Sequence, residues 1–146
     1  MPNYNARSTG DYSKIWMNTG KCVFCDLKDK YIIKEINNVV LTVNLFPYID
    51  GHLLIIPRRH FESFEETTDD EMLAIKQLAD YGKKLLKDKL NIEYVWFIFR
   101  MNSGFNAQKT VAHVHAHLIP FSNKLFKWEY QNINIPVDEL ARKLRS

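Results

Sequence analysis

The stretch A-H-V-H-A-H-L-I-P (residues 112–120) places His113, His115 and His117 at every second position, in a chain with five histidines in all. A side-chain period of two belongs to a β-strand. It predicts a strand over Thr110–Ile119 with the three imidazoles on one face, neighbours roughly 6–7 Å apart, and with Val114, Ala116 and Leu118 turned into the core. Three adjacent positions on one flat strand converge poorly on a single tetrahedral ion. Three histidines on a merely solvent-facing strand are an improbable choice of residue. Catalysis accounts for them better. Imidazole ionises near neutral pH, so one ring can act as nucleophile while a neighbour donates a proton. Phosphoryl transfer uses both roles, together with donors around the oxygens that gain charge.

The rest of the chain supplies a sheet for that strand. Residues 31–43, Y-I-I-K-E-I-N-N-V-V-L-T-V, read as two strands about the turn-forming pair Asn37-Asn38. N-L-F-P-Y-I-D-G is a loop, and His52–Ile56 is a short apolar run closed by Pro57, hence a buried strand. Thr68 with Glu71 forms a capping box that starts a helix. Met72, Ile75, Leu78, Ala79, Gly82, Leu85 and Leu86 then recur at helical spacing, and Asn91 ends the run. Y-V-W-F-I-F-R (residues 94–100) reads as a buried strand, N-S-G-F-N-A-Q-K as a loop, and V-D-E-L-A-R-K-L after Pro136 as a short C-terminal helix. Tyr12, Ile15, Trp16 and Met17 allow a helical turn near the start. The pattern predicts an α+β domain with a mainly antiparallel sheet. It is a single domain over residues 1–146, with its core about residues 20–120, an N-terminal segment 1–20 and a tail 121–146.

Charge and composition narrow the function classes. A formal net charge of +3 suits a phosphorylated substrate but is too weak to argue for nucleic acid. No segment approaches the roughly 20 apolar residues of a membrane span, and the opening M-P-N-Y-N-A-R-S-T-G lacks a signal-peptide core. The expected setting is the cytoplasm. There Cys22 and Cys25, a C-x-x-C pair, point to metal or redox chemistry rather than a disulfide staple.

These motifs together carry a family resemblance. His113-Val114-His115-Ala116-His117-Leu118-Ile119 follows H-φ-H-φ-H-φ-φ, with φ hydrophobic, and resembles the signature of the histidine triad (HIT) family. Asn44 to His60, N-L-F-P-Y-I-D-G-H-L-L-I-I-P-R-R-H, is similar to the family's upstream strand-loop-strand. The C-x-x-C is similar to that of metal-containing bacterial-type members. The resemblance implies a HIT-like fold: a five-stranded, mainly antiparallel sheet with one long and one short helix, paired in a homodimer. It implies that His115 attacks an α-phosphate to form a nucleotidyl-histidine, that His117 helps the leaving group depart, and that His52 supports the triad from behind. Asn44 falls where the ribose hydroxyls are held, as in the dinucleoside polyphosphate hydrolase (fragile histidine triad) branch; the phosphoramidase branch usually has an aspartate there. Asn102 and Thr110 fall at positions that contact phosphate. Read without the resemblance, Asn44 is also a turn residue before Pro47, Asn102 a loop residue, and Thr110 an ordinary strand residue.

Two cysteines leave a tetrahedral zinc site two ligands short. In metal-containing HIT relatives the histidine of the P-x-x-H turn and the first triad histidine complete it, which implies Cys22, Cys25, His60 and His113 as a closed, structural zinc site. Reduced thiols without metal are the alternative. Leu45, Phe46, Tyr48 and Ile49 correspond to residues that line the nucleobase pocket in relatives, or else they are core. The family's G-Q-[ST]-V is here Ala107-Gln108-Lys109-Thr110-Val111, with Gln108 displaced by one residue, and Phe121 stands where many relatives have arginine. In the tail, Lys124, Lys127, Trp128 and Tyr130 are candidates for substrate choice or a dimer interface. The expected activity is hydrolysis of dinucleoside polyphosphates or related nucleotide conjugates, with magnesium accompanying the polyphosphate. The rivals are a phosphorylase or nucleotidyl transferase, a nucleoside phosphoramidase, and a non-catalytic nucleotide-binding module.

Overall fold

Asn37 and Asn38, at φ 48° and 62°, turn the chain tightly between β1 (Ile32–Ile36) and β2 (Val39–Val43). Two consecutive positive φ values match the right-handed twist of the strands they join, and asparagine tolerates them better than most residues. The structure, a computed structural model, describes residues 22–102, 111–122 and 129–145. The helical turn expected about Tyr12–Met17 lies outside the described residues.

The sheet is completed by β3 (Leu53–Pro57), β4 (Val95–Phe99) and β5 (Ala116–Pro120). Its order is β1-β2-β3-β5-β4, with every pairing antiparallel. One face packs under the long helix α1 (Asp69–Leu90): Val39, Leu41, Leu53, Ile55, Ala116 and Leu118 meet Ala74, Ile75, Leu78 and Leu86. On the opposite face Leu54 and Ile56 are covered by Cys22, Phe24 and Val111. Strands buried on both faces read as continuous apolar runs rather than alternating ones, and β3, L-L-I-I-P, is such a run.

Local signals set the ends of α1. Thr68 Oγ1 accepts from the Glu71 backbone N–H (3.1 Å), and the Glu71 carboxylate accepts from the Thr68 N–H (3.0 Å), the two halves of a capping box. At the other end Asn91, at φ 56°, takes the left-handed conformation that stops the helix. The C-terminal helix α2 (Val137–Arg145) buries none of its residues. No helix among the described residues is long and apolar enough to cross a membrane.

The last strand departs from expectation. It begins at Ala116, so the three histidines are not three rungs of one ladder. The cause lies across the sheet. Pro57, at the end of β3, has no N–H to donate, and its carbonyl accepts from the His113 ring (2.7 Å); the Val114 N–H bonds to the Phe61 carbonyl (2.7 Å), and the His113 N–H turns back to Val111 (2.9 Å). Only His117 lies in the strand, paired with Leu54 on one side and Ile98 on the other.

Gly82 sets how close α1 comes to β5: a Cβ added there would lie 2.7 Å from Leu118 Cδ1 and 3.5 Å from Leu41 Cδ1. Gly82→Val is therefore expected to destabilise the fold by roughly 1–3 kcal/mol, the usual range for overpacking. Urea denaturation would register this as a lowered midpoint, and an unchanged midpoint would mean that Leu118 turns aside without cost.

Candidate functional site

The bend that carries Val111–His115 out of the ladder sends the histidines in two directions. His113 turns toward the N-terminal knuckle. His115 and His117 stay together, with ring centroids 5.0 Å apart. All three are buried, as is His52.

The knuckle is a turn closed by the Cys25 N–H to the Cys22 carbonyl (3.1 Å). His113 Nδ1 lies 3.5 Å from both Cys22 Sγ and Cys25 Sγ and 3.1 Å from His60 Nδ1, and His60 Nδ1 lies 3.2 Å from Cys25 Sγ. Bond lengths of about 2.0–2.1 Å to nitrogen and about 2.3 Å to sulfur put tetrahedral ligands roughly 3.3 Å (N–N) and 3.6 Å (N–S) apart. The four ligand atoms, all within 4.8 Å of one another, therefore fit one tetrahedral metal ion. His113 is further prepared for that role. Its Nε2–H donates to the Pro57 carbonyl (2.7 Å), which leaves the Nδ1 lone pair facing the cluster. Without an ion, burial first and then the adjacent Cys22 thiol push the Cys25 thiol up from 9.0 to about 11. Among the described residues no other group of three or more such side chains converges.

His115 is oriented by the same backbone. Its Nδ1–H donates to the His113 carbonyl at 2.7 Å, so Nε2 carries the lone pair. Phe24, lying between the two cysteines, packs edge-on against the His115 ring, with centroids 4.8 Å apart. The His115 ring and the knuckle are thus two sides of one packed unit.

His117 sits in a second chain of contacts. Its Nδ1 is 2.9 Å from His52 Nε2, and its Nε2 is 2.7 Å from Arg100 Nη1. Behind them, His52 Nδ1 accepts from the Tyr48 N–H at 3.2 Å. Asn44 Oδ1 accepts from the Phe46 N–H (2.9 Å), which turns Asn44 Nδ2 toward His52 Nδ1 (3.3 Å). Asn44 is therefore both a turn residue and a prop for His52. With His52 it also lines a cavity of about 420 Å³ between the loop before β3 and the end of α1, where Val43, Leu53, Leu86 and Leu90 supply apolar walls. Leu45, Phe46, Tyr48 and Ile49 do not line this cavity; Tyr48 instead stacks near His52 and His117. Asn102 is exposed just beyond β4, and Gln108 and Thr110 lie outside the described residues.

Two participants, Phe24 and Arg100, were not singled out from the sequence. Phe24 is the aromatic inside C-V-F-C, the residue held closest to whatever the cysteines approach. Arg100 is the lone cation ending an apolar strand, two residues after Ile98, and so on the face that His117 shares across the ladder.

The chain is similar to known proteins over most of its length. The HIT domain family model matches residues 27–124. An uncharacterized HIT-like protein of Methanocaldococcus jannaschii is 33% identical over 136 residues, covering 85% of this chain and 98% of its own. A bis(5'-adenosyl)-triphosphatase of Dictyostelium discoideum is 28% identical over 101 residues (69% of this chain, 64% of its own). An adenosine 5'-monophosphoramidase of Danio rerio is 27% identical over 114 residues (73% and 69%). Among solved structures, a HIT family protein from Bacillus anthracis superposes with a TM-score of 0.72 at 22% identity, covering 86% of this chain and 93% of that one. A zinc-bound histidine triad family protein from Mycobacterium smegmatis gives 0.61 at 23% identity, covering 71% and 77%.

The fit of the cysteine–histidine set predicts that a metal-stripped sample takes up one Co²⁺ with tetrahedral d–d and thiolate charge-transfer absorption. Cys25→Ser should abolish the charge-transfer band to that thiolate and weaken binding. Uptake must displace protons from the thiols, so apparent affinity should rise with pH through the neutral range. An octahedral spectrum, or uptake unaffected by Cys25→Ser, would rule the set out as a metal site.

Proposed function

This chain belongs to the HIT domain family, and from its site we propose that it is a nucleotide hydrolase. It would cleave dinucleoside polyphosphates or related nucleotide conjugates at the α-phosphate through a covalent histidine intermediate. The observation that carries the reading is the 2.7 Å hydrogen bond from His115 Nδ1–H to the His113 carbonyl, which leaves Nε2 basic and nucleophilic.

In the first step His115 Nε2 forms a bond to the α-phosphorus as the bond to the leaving nucleotide oxygen breaks, and His117 donates a proton toward that oxygen. In the second, water attacks the phosphorus and gives a proton back to His117, the N–P bond breaks, and His115 regains its neutral ring. The apolar cavity beside Asn44 and His52 suits a nucleoside. Asn44 would face its ribose, and Asn102, Gln108 and Thr110 would contact the phosphates. A zinc ion held by Cys22, Cys25, His60 and His113 would be structural: a closed four-ligand set leaves no open position for substrate. What it would supply is rigidity, fixing the His113 carbonyl that orients His115. Magnesium would enter only with the polyphosphate. Strand β4 is an edge of the sheet and exposes Trp96 and Phe97, which suits pairing with a second copy of the chain.

A product assay tests the reading. Purified protein is incubated with diadenosine tetraphosphate, with and without inorganic phosphate, beside His115→Ala. AMP plus ATP is expected from the wild type, and the substitution should lower turnover on the order of 10³- to 10⁶-fold with the far-ultraviolet circular dichroism unchanged. ADP formed only with phosphate would make the enzyme a phosphorylase. Absence of turnover in both conditions would refute the dinucleotide reading.

A further inference from the structure

A four-ligand metal site needs the cysteines of its knuckle, not the residues between them. In C-V-F-C, however, the third position is an aromatic ring, and it is buried. Phe24 joins Leu54, Ile56 and Val111 in the apolar cluster on the face of the sheet away from α1. There it meets two of the histidines. Its ring centroid is 4.8 Å from that of His115, with the planes at 73°, and 6.1 Å from that of His113, with the planes at 83°. Both are T-shaped aromatic pairs at ordinary separations. The chain leaves the ring little room to drift, because cysteines bracket it. Cys22 and Cys25 each hold a sulfur 3.5 Å from His113 Nδ1, and the turn between them is closed by a hydrogen bond of 3.1 Å.

The hydrogen bond from His115 Nδ1–H to the His113 carbonyl fixes one nitrogen of the ring. A bond of that kind sets the tautomer and leaves the ring able to rock about the nitrogen it holds. Such rocking displaces Nε2, on the far side of the ring. A rigid neighbour against the ring limits the rocking without occupying a nitrogen. We infer that Phe24 is a positioning residue for His115: the knuckle delivers a fixed aromatic ring that sets the plane of the imidazole and so keeps Nε2 aimed. An aliphatic side chain could fill the same volume, but it has several rotamers and no flat, stiff contact surface to offer. A misplacement of about 1 Å in an attacking atom costs on the order of 10²-fold in rate. The inference rests on the hydrolase reading for what Nε2 is aimed at; the contact between the two rings stands apart from it.

Wild type, Phe24→Leu and Phe24→Tyr are compared, each loaded with Co²⁺ as the metal probe. Phe24→Leu should lower kcat on diadenosine tetraphosphate roughly 10- to 100-fold with KM unchanged. Phe24→Tyr, which keeps the ring, should restore most of the rate. The cobalt spectrum should be the same in all three. In proton NMR the His115 Nδ1–H resonance, assigned by its absence in His115→Ala, should be sharp in wild type and Phe24→Tyr and broadened in Phe24→Leu. Phe24→Met takes the place of the leucine variant if that chain does not fold. Wild-type kcat with a sharp resonance in Phe24→Leu would overturn the positioning role. So would equal losses in Phe24→Leu and Phe24→Tyr, or a lost cobalt spectrum in Phe24→Leu, since the cluster rather than the ring would then carry the effect. If no form of the protein cleaves diadenosine tetraphosphate, the hydrolase reading falls, and the Nδ1–H resonance alone decides whether Phe24 holds the His115 ring.

Discussion

The hydrogen bond from His113 Nε2–H to the carbonyl of Pro57 is the pivot of this structure. It joins the end of β3 to the segment that precedes β5 just where the sheet ladder stops. It sets the tautomer of His113, and with it the nitrogen that faces Cys22, Cys25 and His60. With the His113 ring fixed at one end, its carbonyl is held at the other, where it receives His115 Nδ1–H. A buried bond of this kind contributes only about 1 kcal/mol net. Its importance is geometric: the cysteine–histidine cluster and the His115 ring take their positions from the two ends of one residue.

Much of the fold was legible because its signals are local. Asn37-Asn38, the Thr68–Glu71 box and Asn91 each act within a few residues, and the structure has a turn, a helix start and a helix stop at those places. The onset of β5 was not legible. Alternation from Thr110 to Ile119 describes a strand well, but a strand needs a partner. Whether residues 113–115 find one depends on Pro57 and on the Phe61 carbonyl, more than 50 positions earlier in the chain. The same distinction runs through the site. The residues of the cysteine–histidine cluster could be picked out by motif, whereas the chain from Asn44 through His52 and His117 to Arg100 exists only once β3, β4 and β5 are side by side.

The sheet's two faces divide the labour. Beneath α1 it is a conventional apolar core, with Gly82 allowing a close approach over Leu118. On the other face a smaller apolar cluster of Leu54, Ile56 and Val111 lies beside aromatic and ionisable side chains with specific neighbours: Phe24 against His115, Tyr48 against His52, Arg100 against His117. His117 belongs to the second face while its neighbour Leu118 belongs to the first, so β5 transmits the rigidity of the core to the histidines by the pleat alone.

The cluster that unites the knuckle with His113 has a kinetic consequence. Cys22 and His113 are 91 positions apart, and Cys25 and His60 are 35 apart. Loop-closure entropy must be met before such contacts form, so this corner assembles after the hairpin of β1 and β2 and the helix that packs on it. A metal ion captured there would add its binding free energy only to chains that had already completed the sheet. In that sense the knuckle is a latch: it does not direct the chain to its fold, but it slows escape from the fold once every strand is in place.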